Sequence, residues 1–275
     1  MHVGLPPPYD FELSTERFRA FGADLAFLWR EGGLHRVLCG REVRIVAAPG
    51  GVRVDPADAP LTAPVRRLLG EPFDLAGFEA MAAQDSLLRP IVARLRGLRP
   101  PLAPDPLEHI VSSITAQQVS LRAALAIRNR LVRSLSAPCD HAYPFPSRER
   151  LAAARPEGLR ALGFSRAKAE SVVAIARSEL DLDGLAALPD AEVCERLRAL
   201  PGVGLWTAEW FLARHLGRPD VWPAGDLGLR KAVAALLLGG RAASEREVRE
   251  VGARFAPYRN LAAQYLLVAM RVPAR

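Results

Sequence analysis

Four short stretches of the 275-residue chain carry side chains suited to chemistry. The first is Asp226, which follows Pro223-Ala224-Gly225 and opens the apolar-periodic stretch DLGLRKAV. Aspartate is among the best helix N-caps, and the unpaired amides and positive dipole end of a helix start favour its charged form. A carboxylate so placed suits the stabilisation of positive charge or the acceptance of a proton, not its donation. The neighbouring carboxylate, Asp220, precedes Trp222 in a loop and reads as structural. The second stretch holds Trp206 and Trp210, two of only four tryptophans. Four residues apart, they share one face of a helix. Such rings either pack in a core, the default for tryptophan, or offer a stacking wall to a flat or cationic ligand.

The third stretch is LPGVGLWTAEWF, Leu200 to Phe211. Residues 190–199 read as an amphipathic helix with Asp190 as its N-cap, stopped by Leu200-Pro201. Gly202-Val203-Gly204 then turns the chain into a helix starting at Leu205. Two glycines permit a tight turn and the close approach of another chain. The free amides at the start of the next helix can hold a phosphate without reading a base. On PGVG alone, a plain corner between two helices is the commoner reading. The fourth stretch, ITAQQVS, puts Gln117 and Gln118 in a turn between two helices, with Ser120 capping the second.

These stretches must be positioned by two kinds of structure. Up to about residue 60, short β-branched runs such as REVRIVAAPGG and VRVDP alternate with Gly and Pro, and Pro49-Gly50-Gly51 reads as a hairpin turn. A small antiparallel sheet follows from this. The segment STERFRAFGADLAFLWR is open: Ser14 can cap a helix, or the run can continue into strand. From residue 62 onward the pattern predicts helices near 62–69, 75–94, 106–117, 121–135, 147–154, 165–180, 190–199, 205–216, 227–238, 244–255 and 258–271. GLRPPLAPDP, residues 97–106, is the clearest linker. The expected organisation is therefore an N-terminal α/β domain over 1–100 and a helical region over 101–275, an α+β protein that is mainly α.

Composition narrows the function classes. The chain is 50% hydrophobic and 24% charged, ordinary for a globular protein, with a formal charge of +7. That balance fits a polyanion such as nucleic acid, though weakly by itself. Among 37 basic residues only Lys168 and Lys231 are lysines, so amine nucleophiles are scarce. Cys39, Cys139 and Cys194 are far apart and form neither a CxxC pair nor a four-cysteine iron–sulfur spacing. They are expected as buried reduced thiols in a cytosolic protein. His2, His35, His109, His141 and His215 are scattered and suggest no metal site. The N-terminus lacks a signal pattern, and no run reaches membrane-spanning length, so no membrane association is expected.

LPGVGLWTAEWF resembles the hairpin of the helix-hairpin-helix DNA glycosylases, approximately L-P-G-[IV]-G-x-x-[TS]-A. In that superfamily a catalytic aspartate follows about twenty residues later, and RPDVWPAGDLGLRKAV supplies Asp226 22 residues after Gly204. Further blocks resemble the 3-methyladenine DNA glycosylase II branch in the right order. They are PPYDF at 7–11, DPLEHIVSSITAQQVSLRAA at 105–124, FPSRERLAAA at 145–154, LGFSRAKAESV at 162–172 and PYRNLAAQYL at 257–266.

The resemblance implies excision of alkylated bases, of the 3-methyladenine and 7-methylguanine type, from double-stranded DNA containing damaged bases. Asp226 would be the catalytic residue; Trp206, Trp210 and Gln117 would line the base pocket. Gln118 would be the wedge that fills the gap left by a flipped base, and Gly202, Val203, Gly204 and Thr207 would contact DNA. Related enzymes that also nick the strand carry a lysine where this chain has Trp206, so the resemblance implies a monofunctional enzyme that leaves an abasic site. It further implies a TATA-binding-protein-like N-terminal sheet, a cleft between two helical subdomains and Arg259 as a salt-bridging residue of the last helix. No iron–sulfur cluster and no other cofactor are expected, though the hairpin can hold a monovalent cation on main-chain oxygens. One departure stands out: the branch can place an aromatic pocket residue where this chain has Leu267, with Tyr265 the only aromatic nearby. The alternatives are a glycosylase for deaminated or oxidised bases, and a non-catalytic helix-hairpin-helix DNA-binding protein. A monomer is expected, in a bacterial cytoplasm and associated with the nucleoid.

Overall fold

A computed structural model describes residues 1–273. Five strands, β1 (His2–Gly4), β2 (Leu28–Arg30), β3 (Gly33–Leu38), β4 (Arg41–Ala48) and β5 (Gly51–Asp55), form an antiparallel sheet in the order β1-β5-β4-β3-β2. Pro49 and Gly50 make the expected hairpin tip, with Ala48 paired to Gly51. Alternate residues of β4 and β5, among them Val43, Ile45, Val52 and Val54, are fully buried, as expected for a sheet covered on one face. In the open segment at 14–30, Ser14 caps no helix, and the run reaches strand only at its end, as β2 (Leu28–Arg30). Asp10 caps a single turn, α1 (Phe11–Ser14), and the Oγ of Ser14, at the end of that turn, accepts from the amide of Arg99.

Thirteen further helices follow: α2 (Thr62–Leu68), α3 (Leu75–Ala83), α4 (Leu88–Arg94), α5 (Pro106–Ala116), α6 (Leu121–Leu135), α7 (Arg148–Ala153), α8 (Pro156–Ala161), α9 (Arg166–Arg177), α10 (Asp190–Arg198), α11 (Leu205–Phe211), α12 (Leu227–Leu237), α13 (Glu245–Ala253) and α14 (Arg259–Ala269). Several expectations are corrected. The helix expected over 75–94 is two, because the Asp85 carboxylate accepts from the amides of Leu87 and Leu88 and starts a new helix. The helix expected over 205–216 is α11 followed by a wider turn at Leu212–Leu216, closed by Gly217 at φ +73°. Pro156, pre-set for a first helical turn, begins the unexpected α8. Asp190 is not the N-cap of α10: extended Pro189 takes that place, and Asp190 pairs with Arg218 at 2.9 Å. Cys39 and Cys139 are exposed rather than buried, Cys39 because it turns the β3–β4 corner at φ +50°.

The apolar side chains fall into three cores. One lies under the sheet and extends to Leu69. A second joins α3 and α4 to α12, α13 and α14 through Phe78, Leu88, Trp222, Leu229, Phe255 and Tyr265. The third is built by α5 to α11. The change of core therefore falls near residue 70, not at the Pro-rich linker, since helices 75–94 pack against the C-terminal helices. The sheet is fastened to the helices by a buried ion network in which Arg36 of β3 and Arg128 of α6 both pair with Glu108 of α5, and Arg128 also holds Asp24. No helix of the described residues is long and apolar enough to cross a membrane.

Candidate active site

Between the second and third cores lies a cavity of about 1140 Å³. Asp226, the N-cap of α12, sits on its wall: Oδ1 accepts from the amide of Leu229 at 2.8 Å, as the sequence predicts for a cap. Oδ2 accepts two indole N–H groups, from Trp206 at 2.8 Å and Trp210 at 3.1 Å. The shared helix face thus aims both tryptophans at one carboxylate, a link that spacing alone does not reveal. Among the described residues no cation pairs with Asp226 within salt-bridge distance. Three neutral donors hold it in place of an ion pair.

The two tryptophans differ. Trp206 is half-buried and lines the cavity. Trp210 also lines it but is 2% exposed and belongs to the third core. One face of Trp210 already carries the Arg214 guanidinium, 3.7 Å from the ring centroid. Burial pushes the Arg214 pKa well below the ordinary arginine value, as do the nearby charges of Arg17 and Arg271, while Asp226 opposes them.

The hairpin is built as its sequence suggests, with one correction. Gly202 sits at φ +75°, and a Cβ there would lie 2.5 Å from Ser171 Oγ, so glycine is required twice over. Gly204 is different: its φ of −96° suits any residue and a Cβ would meet nothing. Only one of the two glycines makes the corner; the other leaves the outer surface bare where α11 begins. Val203 and Thr207, expected on the DNA face, are buried, at 6% and 1% exposure, so their side chains stand behind that face. The Val203 amide is spent on Leu200 O. The Thr207 amide, in the first turn of α11, has no partner within the helix.

Gln117 ends α5, and its Nε2 donates to Gly202 O at 2.9 Å and to Thr207 Oγ1 at 3.3 Å, tying the α5 end to the hairpin. Gln118 follows at φ +54°, exposed at the cavity mouth beside exposed Val119 and Leu121. Ser120 caps α6 as expected. Lys168 donates to the carbonyls of Thr115 and Gln117, whereas Lys231 lies on the cavity rim. Arg259 holds Asp220 with two hydrogen bonds of 2.5 and 2.7 Å, as the structural reading of both requires. Leu267 faces the cavity; Tyr265 is fully buried, with its hydroxyl on Leu98 O, and leaves this wall without an aromatic.

Sequence reasoning missed five contributors. Arg214 was legible, since it continues the Trp206–Trp210 series by another four residues. Arg271, paired with Glu16, and the N-terminal residues Arg17, Phe18 and Phe21 reach the cavity only through folding. No local signal marks them.

The chain is similar to known DNA repair proteins. Residues 111–257 match the model of the HhH-GPD superfamily base excision DNA repair proteins. A Mycobacterium tuberculosis protein named as a probable bifunctional transcriptional activator/DNA repair enzyme is 36% identical over 77% of this chain, a match spanning 43% of that protein. A 3-methyladenine DNA glycosylase from Archaeoglobus fulgidus superposes with a TM-score of 0.86 at 29% identity, over 97% of this chain and 96% of that one. A Schizosaccharomyces pombe 3-methyladenine DNA glycosylase, solved with abasic DNA, gives a TM-score of 0.63 at 30% identity, over 72% and 98%. This chain belongs to the HhH-GPD superfamily of base excision DNA repair proteins.

Proposed function

We propose that the protein is a monofunctional DNA glycosylase that draws an alkylated base of the 3-methyladenine or 7-methylguanine kind out of duplex DNA and hydrolyses its N-glycosidic bond, leaving an abasic site. The observation that carries this is the Asp226 carboxylate on the cavity wall, held by Trp206, Trp210 and Leu229 N–H groups rather than by an ion pair. Likeness to the Archaeoglobus and Schizosaccharomyces 3-methyladenine DNA glycosylases supports the substrate class.

Loss of the base builds positive charge on the sugar. At an effective dielectric constant of about 20, a unit charge about 4 Å from a carboxylate gains about 4 kcal/mol, about a thousandfold in rate. The same oxygen can orient the attacking water. A base alkylated on a ring nitrogen is cationic and leaves without a general acid. The Trp206 ring offers it stacking and cation–π attraction. Gln118, exposed in a left-handed turn at the mouth, would fill the vacated stack. The first-turn amides of α11 would take a backbone phosphate. A monovalent cation at the hairpin would rest on main-chain oxygens, of which Gly202 O already accepts from Gln117.

The test is incubation with methylated duplex DNA, with released bases identified by mass. Release of 3-methyladenine and 7-methylguanine without strand cleavage, and no adduct trapped by borohydride, is the expected result. An adduct lost in Lys231→Ala would overturn the monofunctional reading, because Lys231 is the amine at the rim.

A second reading has a specific observation behind it. Arg17, Arg214 and Arg271 line the same cavity, and the wall at Leu267 lacks an aromatic. Like charges disfavour a cationic base and favour a neutral one presenting carbonyl oxygens, such as a deaminated or oxidised purine. Faster release of hypoxanthine than of 3-methyladenine would select it.

A further inference from the structure

A second cluster of titratable groups lies in the N-terminal half, where the sheet meets the loop between α6 and α7. His35 of β3 and Glu42 of β4 are diagonal neighbours, since His35 pairs with Arg44 and Glu42 with Val37. His141 arrives from the loop. The side chains of His35 and Glu42 are 8% and 6% exposed, that of His141 40%. Glu42 is fixed by its outer oxygen: Oε2 accepts from the amides of Asp140, His141 and Ala142 at 3.0, 2.7 and 2.9 Å. Its other oxygen, Oε1, faces both histidines, 2.7 Å from His35 Nδ1 and 3.5 Å from His141 Nδ1. The three residues each present a ligand atom within 4.8 Å of the others.

Hydrogen bonding explains only half of this. His35 makes a good bond to Oε1, but 3.5 Å from His141 is too long for one. It is close to the spacing of ligands on a tetrahedral zinc ion, about 3.4 Å for bonds of about 2.1 Å. Two imidazole nitrogens and a carboxylate oxygen are ligands that suit a borderline divalent ion. We propose that His35, Glu42 and His141 form a zinc-binding site, with water in the fourth position on the exposed His141 side. Binding needs His35 to open from Glu42 by about 0.7 Å and both Nδ1 atoms to be deprotonated. His35 Nε2 is buried without a hydrogen-bond partner among the described residues. The outer-shell bond that normally orients and strengthens a metal-bound histidine is missing, which weakens the affinity about 10–100-fold. The ion would clip the sheet to the loop that leads into α7, and so to the third core. None of the three residues lines the cavity of Asp226, so the clip acts on stability and not on base release.

The test is zinc titration of the chelator-stripped full chain, with bound zinc measured after dialysis and the melting temperature recorded in parallel. Cobalt(II) reports the geometry by its absorption. About one zinc per chain at about 100 µM free ion, a raised melting temperature and a tetrahedral cobalt spectrum are expected. His141→Ala, at an exposed loop position that folding tolerates, is expected to weaken binding at least about tenfold while base release is unchanged. Less than about a tenth of a zinc per chain at that concentration would overturn the proposal. So would a His141→Ala protein that binds zinc as the parent does, since the ion would then sit elsewhere.

Discussion

Asp226 and Glu108 are both carboxylates near the first turn of a helix, and they are solvated in opposite ways. Glu108 is buried between the guanidiniums of Arg36 and Arg128, which consume its charge in fastening the sheet to the helical body. Asp226 receives three neutral N–H groups and no cation, and it faces a cavity. Neutral donors hold a carboxylate in place without cancelling its field. The first arrangement serves stability, and the second leaves charge for a cation that forms during a reaction.

The largest effect on folding is expected at Glu108. Glu108→Gln leaves buried Arg36 without a counter-ion and Arg128 with Asp24 alone, and should cost about 3–5 kcal/mol in a denaturant melt. A loss below about 1 kcal/mol would remove the contrast with Asp226.

Glu209, buried on α11 behind the hairpin, sharpens the contrast through pH. Burial raises its carboxyl to about 7, opposed by Arg249. A raised folded pKa means that stability is greatest while the group is protonated in both states. Relative to Glu209→Gln, the parent should therefore lose on the order of 2 kcal/mol as pH rises from below about 4.5 through 7. A flat difference between the two proteins across that range would contradict this.

The smallest effect probes one donor. Trp206→Phe keeps a ring on the wall and removes the N–H from Oδ2, so base release should slow about tenfold, the worth of one hydrogen bond to a charged group. An unchanged rate would mean that the indole N–H does not position the carboxylate.

Much of this was legible because it is local. The Asp226 cap, the i, i+4 tryptophans, the Gly202 turn and the β4–β5 hairpin are each decided within a few residues. The shared carboxylate of Trp206 and Trp210 was not, because it joins α11 to α12 across 20 residues of chain. The packing of α3 and α4 against α12 to α14 was hidden by the Pro-rich linker, which looks like a boundary but runs between two cores. Gly204 misled for a different reason: a glycine serving a turn and a glycine leaving a surface bare are the same letter. His35, Glu42 and His141 are separated by up to 106 positions, and only the strand register and one loop bring them together.

The central claim, that Asp226 is kept free of an ion pair in order to act, is tested most directly by Asp226→Asn. Asparagine keeps the cap on the Leu229 amide through its one oxygen but turns a donor nitrogen toward the two indoles, so the melting temperature should fall while the affinity for methylated duplex stays near that of the parent. Base release should fall about a thousandfold. A variant that still releases bases within about tenfold of the parent rate would contradict the account.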